Sequence, residues 1–204
     1  MKLYFSPSSC SLASHIALCE AQIDVELVRV DLKTHTLVSD GSDFYALNPK
    51  GYVPMLTLDN GVHLTEGVAI LQYVADQKPA LQLAPKAGTL ERYQLQEWLT
   101  FINSEVHKAF GPLWNPKNSE ETKTLARQNL GKRFDLIVAS LGQHDFLQGA
   151  QFSVADAYLF TVLNWCTHLD IALEQWPTLA AYQARIAQRP AVQKALAAEA
   201  AFAA

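Results

Sequence analysis

The rhythm of apolar and polar positions changes once along the chain. Over residues 1–80, strand-like runs alternate with helical ones. Leu3, Tyr4 and Phe5 form a strand closed by Ser6, Pro7, Ser8 and Ser9. Leu12, Ile16 and Ala17 then recur at helical spacing. Residues 25–32 read as a second strand, rich in β-branched side chains. Residues 41–43 open a short helical piece, Phe44 to Leu47, stopped by Asn48-Pro49-Lys50-Gly51. Residues 52–58 form a third strand entered through Pro54. Asp59-Asn60-Gly61 signals a type I′ hairpin, and residues 62–64 return as a fourth strand. Thr65-Glu66-Gly67 starts a helix through Val68, Ile70, Leu71 and Val74 that ends near Pro79. A helix between the first two strands makes them parallel, and the hairpin is antiparallel. The pattern predicts a mixed four-stranded sheet.

From Pro85 onward the period is helical throughout. A helix is predicted over 89–113 and broken by Asn115-Pro116. Another is predicted over 119–141, with Ser119, Glu120 and Glu121 suiting its N-terminus. Ser153-Val-Ala-Asp156 resembles a capping box, with Phe152 placed as a hydrophobic staple, and opens a helix through Leu159, Phe160 and Leu163. Pro177 and Pro190 stand at first-turn positions of two last helices. The expected organisation is an α/β domain over 1–80, a linker over 81–87 and an all-helical domain over 88–204.

Composition narrows the class. Half of the 204 residues are hydrophobic and 18% are charged, enough for a sizeable core. No apolar run reaches the roughly 18 residues of a membrane span. The chain enters its first strand with no basic n-region or cleavage site, so no signal peptide is read. Cys10, Cys19 and Cys166 are an odd number without metal-ligand spacing, which favours a reducing cytoplasm over a disulfide scaffold; no metal site and no prosthetic group are expected. The acidic excess lies in residues 1–80, and no Lys/Arg cluster stands out, which argues against nucleic acid as a partner.

Three places have candidate chemistry. Cys10 sits where a strand turns into a helix, among free backbone N–H groups and the positive end of the helix dipole. An anion there gains about 0.3–1 kcal/mol, which favours a thiolate. Asn48 to Pro54 and Leu64 to Gly67 are loops beside strand ends. Gly67 lets a ligand approach the backbone, the helix N-terminus suits a carboxylate, Glu66 suits an ammonium group, and an extended Val53 suits a paired peptide. Together they describe a small zwitterionic peptide. On the helix 89–113, Asn103, His107, Phe110 and Trp114 form a polar and aromatic row beside the core stripe of Leu95, Ile102, Val106, Ala109 and Leu113.

These motifs, in this order, resemble the glutathione transferases, and specifically the bacterial beta class. They are Ser9-Cys10-Ser11-Leu12, Asn48-Pro-Lys-Gly51 with Val53-Pro54, Leu64-Thr-Glu-Gly-Val-Ala-Ile70, Glu97-Trp-Leu99, Ser104-Glu-Val-His-Lys108 and Phe152 to Phe160. The resemblance implies a thioredoxin-like first domain, an all-α helical bundle after it, a cis Val53–Pro54 bond and a homodimer. Glutathione is then the co-substrate and a small hydrophobic electrophile the second substrate. Cys10 and His107 are implied at the glutathione sulfur. Val53 is implied on its cysteinyl backbone and Glu66 and Gly67 on its γ-glutamyl end. Ser104 is implied to reach the partner subunit's glutathione. His35 stands near the glycyl carboxylate, where relatives commonly have lysine. Ser11, Thr100 (for a common asparagine) and Lys108 complete the implied glutathione-binding set, and Phe110 and Trp114 form the implied electrophile pocket between the domains. Ser153 and Asp156 match the family's folding-related capping box.

The expected activity is transfer of the glutathione thiolate to small electrophiles. Two other readings stay open at this level. One is glutathione-dependent thiol–disulfide exchange through Cys10. The other is a non-catalytic binding module on the same fold.

Overall fold

A computed structural model of the chain describes residues 1–142 and 144–202. Its described residues fall into two compact units, one made of 1–84 with 188–202, the other lying within 85–187.

The first unit is built on a mixed sheet of five strands: β1 (Lys2–Phe5), β2 (Glu26–Asp31), β3 (Thr36–Leu37), β4 (Met55–Thr57) and β5 (His63–Thr65), in the spatial order β3-β2-β1-β4-β5. β1 runs parallel to β2 and antiparallel to β4, and β5 is antiparallel to β4. The expected sheet is thus one strand short. Against β2, β3 pairs Leu37 with Val30 and Thr36 with Asp31, and a two-residue strand is too short to leave a period in the sequence. The loop before β5 also differs from the expected type I′ turn. Gly61 takes a φ of 82° while Asn60 keeps a negative one. The Leu58 carbonyl accepts from Gly61 N–H at 2.9 Å, and Leu58 N–H donates to Val62 at 2.9 Å. This is a three-residue loop whose glycine takes the left-handed position.

Alternation along β1 sorts the two faces of the sheet. Tyr4 joins Val30, Leu37, Phe44, Val53 and Met55 in one buried cluster. Leu3 and Phe5, fully buried, point the other way, where the Phe5 ring meets His15 of helix α1 (Ser11–Glu20). Helix α2 (Gly67–Gln77) packs on α1 through a stripe including Ile70, Leu71 and Val74. The Val53–Pro54 bond is cis.

The helices of the second unit are α3 (Leu90–Phe101), α4 (Gly111–Trp114), α5 (Glu120–Leu141), α6 (Val154–Leu163), α7 (Trp165–His168) and α8 (Pro177–Ala187). All ten residues of α6 are buried, as expected of a helix apolar on every side. Its one acid, Asp156, is fully buried at the start. It accepts from Leu147 N–H, Ser153 N–H, Ser153 Oγ and Tyr182 Oη at 2.8–2.9 Å. Burial pushes its carboxyl above the usual range against those donors.

The helix predicted over 89–113 is not continuous. After α3 the backbone widens into a π-helical segment, Ile102–His107, tightens to a 3₁₀ turn, Lys108–Phe110, and ends in α4. Pro112, with no N–H to give the carbonyl four residues back, cannot continue the α-helical ladder. π segments recur at functional sites, and this one holds Asn103, Ser104 and His107.

The last helix, α9 (Pro190–Ala200), corrects the expected domain limits. It packs on α1, so residues 188–202 group with the sheet rather than with the helical domain expected over 88–204. Arg189 forms two hydrogen bonds to the Glu20 carboxylate, at 2.5 and 2.9 Å. The Phe202 ring stands edge-on to Phe5 at 5.2 Å, and its carbonyl accepts from Arg29. Helical period alone does not say which core a helix covers.

Candidate functional site

In the first unit the loop between β1 and α1 delivers Cys10 to the helix N-cap, with φ −61° and ψ −16°. The loop is held from inside. Ser11, fully buried, donates its hydroxyl to the Ser6 carbonyl and accepts from Ser6 N–H, both at 3.2 Å, and Ser9 Oγ lies 2.8 Å from it. The Ser11 side chain, expected among the binding residues, thus serves the loop. The Cys10 thiol is half-buried and donates to the Val53 carbonyl at 3.3 Å. The strand-entry loop and the helix start, far apart in sequence, therefore meet at one thiol.

Glu66 and Gly67 open α2. Glu66 holds a φ of 69°, and its side chain makes no cap to its own helix N-terminus. Lys50 Nζ lies 2.6 Å from Glu66 Oε1 and 3.1 Å from Thr65 Oγ1. Gly67 has no positive φ, and a Cβ there would meet only Pro54 at an ordinary 3.8 Å. Its lack of a side chain leaves open space rather than relieving strain. His35 lies in the turn between β2 and β3, with Nδ1 3.1 Å from the Gly51 carbonyl and its ring 4.6 Å from Tyr45. Gly51 is required there. Its φ is 68°, and a Cβ would fall 2.5 Å from the Tyr45 ring.

In the second unit, the π segment turns Asn103 and His107 toward Tyr158 of α6. His107 Nδ1 lies 2.7 Å from Tyr158 Oη, which donates to Asn103 Oδ1 at 3.0 Å. The one hydroxyl proton is thereby committed to Asn103, so Nδ1–H of His107 donates to Tyr158, and Nε2 is the basic atom. Burial, aided by the Lys108 charge, lowers the His107 pKa to about 4, and the ring is neutral at neutral pH. Trp165 stands edge-on to His107 at 4.8 Å.

The other expected residues of this unit fare differently. Ser104 turns its hydroxyl back onto the Thr100 carbonyl at 2.9 Å, and both residues are exposed, as is Lys108. Phe110 was expected to line an electrophile pocket and is instead fully buried between Phe134 and Trp165. A ring on the core side of a helix turn has no open face for a ligand. Trp114 is about half exposed and touches Trp165. Sequence reasoning missed Tyr158, Lys50 and Trp165. The first sits within a motif read as structural, and the other two give no periodic signal. Burial pushes the Cys166 thiol up to about 12, which makes it inert. Among the described residues, no group of three or more His, Cys, Asp or Glu side chains could hold a metal ion, and no helix is long and apolar enough to cross a membrane.

The chain matches two family models, "Glutathione S-transferase, N-terminal domain" over residues 1–76 and "Glutathione S-transferase, C-terminal domain" over 101–190. It is 47% identical over 199 residues to glutathione S-transferase GstA of Escherichia coli O157:H7, covering 98% of both chains. Among solved structures it is similar to the ternary complex of BphK, a bacterial GST, with 54% identity, a TM-score of 0.95 and coverage of 98% of this chain and all of that one. It is also similar to the bacterial beta class glutathione S-transferase of Sphingomonas chungbukensis, with 49% identity, a TM-score of 0.93 and 98% of both chains covered.

Proposed function

The chain belongs to the glutathione S-transferase family, an enzyme with glutathione as co-substrate, and from that premise we propose which of its residues act on it. Cys10 and His107 are the catalytic residues. Cys10 meets the glutathione sulfur at the N-terminus of α1, where backbone N–H groups and the helix dipole favour its thiolate. His107, neutral and with Nε2 unprotonated, accepts a hydrogen bond from the glutathione thiol and orients it, while the proton leaves to solvent. Val53 pairs with the cysteinyl backbone. Glu66 takes the γ-glutamyl ammonium, while the α2 N-terminus at Gly67 takes the carboxylate beside it. His35 serves the glycyl end, and Thr100, Ser104 and Lys108 complete the set. The second substrate is a small hydrophobic electrophile, met by Trp114. The enzyme works as a cytoplasmic homodimer.

One observation supports this reading above the others: the Cys10 thiol bonded to the Val53 carbonyl in the same unit as the uncapped, glutamate-led start of α2. Both are features that a purely structural turn has no use for. The test is conjugation of glutathione to a panel of electrophiles, with wild type, Cys10→Ala and Glu66→Gln side by side. Glu66→Gln is expected to raise the KM for glutathione about tenfold, the effect of one hydrogen bond to a charged group. Full glutathione affinity in Glu66→Gln would refute the assignment. So would calorimetry showing no glutathione binding by wild type at millimolar concentration.

A further inference from the structure

A second buried cluster lies behind the Cys10 loop. Glu199, on the last turn of α9, and His15, on α1, are each about 4% exposed, and His15 Nδ1 lies 3.1 Å from Glu199 Oε1. The other carboxylate oxygen, Oε2, accepts from the backbone N–H of Ser8 at 3.3 Å. Ser8 is two residues before Cys10 and holds a φ of 61°, a left-handed conformation rare for a residue with a side chain. Such a residue keeps its conformation only where its surroundings over-determine it. Ser9 N–H bonds to Ser6 and closes the same loop from within. The Glu199 carboxylate anchors it from outside.

We infer that Glu199 is a positioning residue for Cys10: held by His15, its carboxylate fixes the Ser8 backbone and so sets how the loop presents Cys10 to the N-terminus of α1. The inference rests on the proposed role of Cys10. It gives the C-terminal helix a part in the site that neither the family motifs nor the helical period of residues 190–200 suggests. A carboxylate buried beside an imidazole costs desolvation free energy that an apolar pair would not. Plain packing of α9 on α1 has no need of it, since Arg189 with Glu20 already ties the first turn of α9 to the end of α1. That second tie also supplies the control, because it joins the same two helices far from the loop.

The experiment follows alkylation of Cys10 by iodoacetamide, resolved by peptide mass spectrometry from Cys19 and Cys166, across pH in the full-length chain. Glu199→Gln is expected to slow alkylation at neutral pH about two- to fivefold, the range of a helix-terminus effect on an anion. It should also move the pH midpoint upward and raise the KM for glutathione more than it lowers kcat. Arg189→Ala is expected to lose stability while Cys10 reacts at the wild-type rate. Wild-type alkylation in Glu199→Gln, or equal slowing in Arg189→Ala, would overturn the inference. If Glu199→Gln does not fold, His15→Gln takes its place. Its amide still donates to Glu199 but carries no charge. Partial slowing is expected, and an unchanged rate counts against the inference. Cys10→Ala with unimpaired conjugation would remove the catalytic role of Cys10, while the alkylation comparison still decides whether Glu199 sets its surroundings.

Discussion

Two histidines, one in each unit, are withdrawn from water, His15 almost fully and His107 partly, and end in opposite states. Burial pulls both toward neutrality. His15 meets the Cys19 thiol and the Glu199 carboxylate, and these outweigh burial and raise its pKa to about 9. His107 meets a tyrosine hydroxyl, has Lys108 nearby, and falls to about 4. One ring is a fixed cation that ties a terminal helix to a loop. The other is a neutral ring with a free basic nitrogen. The difference lies in the partner rather than in the depth of burial, which is why neither state can be inferred from a histidine in an apolar stretch of sequence.

The largest test of the contrast removes the carboxylate. Glu199→Ala leaves an imidazole, charged in the wild type, buried without its carboxylate and with the Cys19 thiol still beside it. The loss expected in urea denaturation is about 3–5 kcal/mol, the cost of breaking a buried pair from one side. His15 should then titrate well below 9 by NMR. A loss under about 1 kcal/mol would mean that the pair is not a clamp.

The two rings also predict opposite limbs in stability against pH. The folded pKa of His15 lies above the unfolded value near 6.5. Its contribution is complete below about 6.5 and lost as pH rises through about 9. The folded pKa of His107 lies below the unfolded value. Its contribution is complete above about 6.5 and lost as pH falls toward about 4. Each limb amounts to about 3 kcal/mol at most. Denaturation across pH 4–9 should show both, and Glu199→Gln should reduce the alkaline limb alone, leaving the part that Cys19 supplies. A variant that flattens both would show that the two rings do not titrate independently.

Tyr158→Phe probes the neutral ring. It removes the hydroxyl between His107 Nδ1 and Asn103 and should cost about 1–2 kcal/mol of stability, because two partners lose their bond at once. Ring ¹⁵N shifts of His107 should change from a single Nδ1–H tautomer to a mixture. An unchanged tautomer would assign the control of Nε2 to some group other than Tyr158.

Much of this molecule was legible in advance where the signal is local. Ser119 caps α5 as its position suggests, accepting from Thr122 N–H, and Pro177 and Pro190 open α8 and α9. The strand–turn–helix around Cys10 follows from three apolar residues, a proline and a run of serines. What stayed hidden depends on long-range partners. Nothing near Glu199 in the chain points to Ser8 or His15, which lie 191 and 184 residues away. The row of Asn103, His107, Phe110 and Trp114 was visible as a pattern, but the π segment divides it. Asn103 and His107 turn to Tyr158, while Phe110 goes into the core. A period assumes one residue count per turn, and this stretch changes that count three times.

The smallest effect is expected at the exposed counterpart of the buried pair. Lys50 and Glu66 form a closer ion pair than His15 and Glu199, at 2.6 Å against 3.1 Å, yet their side chains are 50% and 65% exposed. Water screens such a pair, and ordering two long side chains offsets the attraction. Exposed pairs contribute about 0–1 kcal/mol. Lys50→Met should therefore change unfolding stability by less than about 0.5 kcal/mol, a small fraction of the loss expected for Glu199→Ala. Its effect should appear in binding. Lys50 pairs with the carboxylate proposed to receive the glutathione ammonium, so removing it takes away a competitor. Glutathione should bind about two- to threefold more tightly at low salt, an advantage that shrinks as salt screens the site. Weaker binding in Lys50→Met would mean that Lys50 contacts the ligand itself, and that Glu66 alone does not define the γ-glutamyl end.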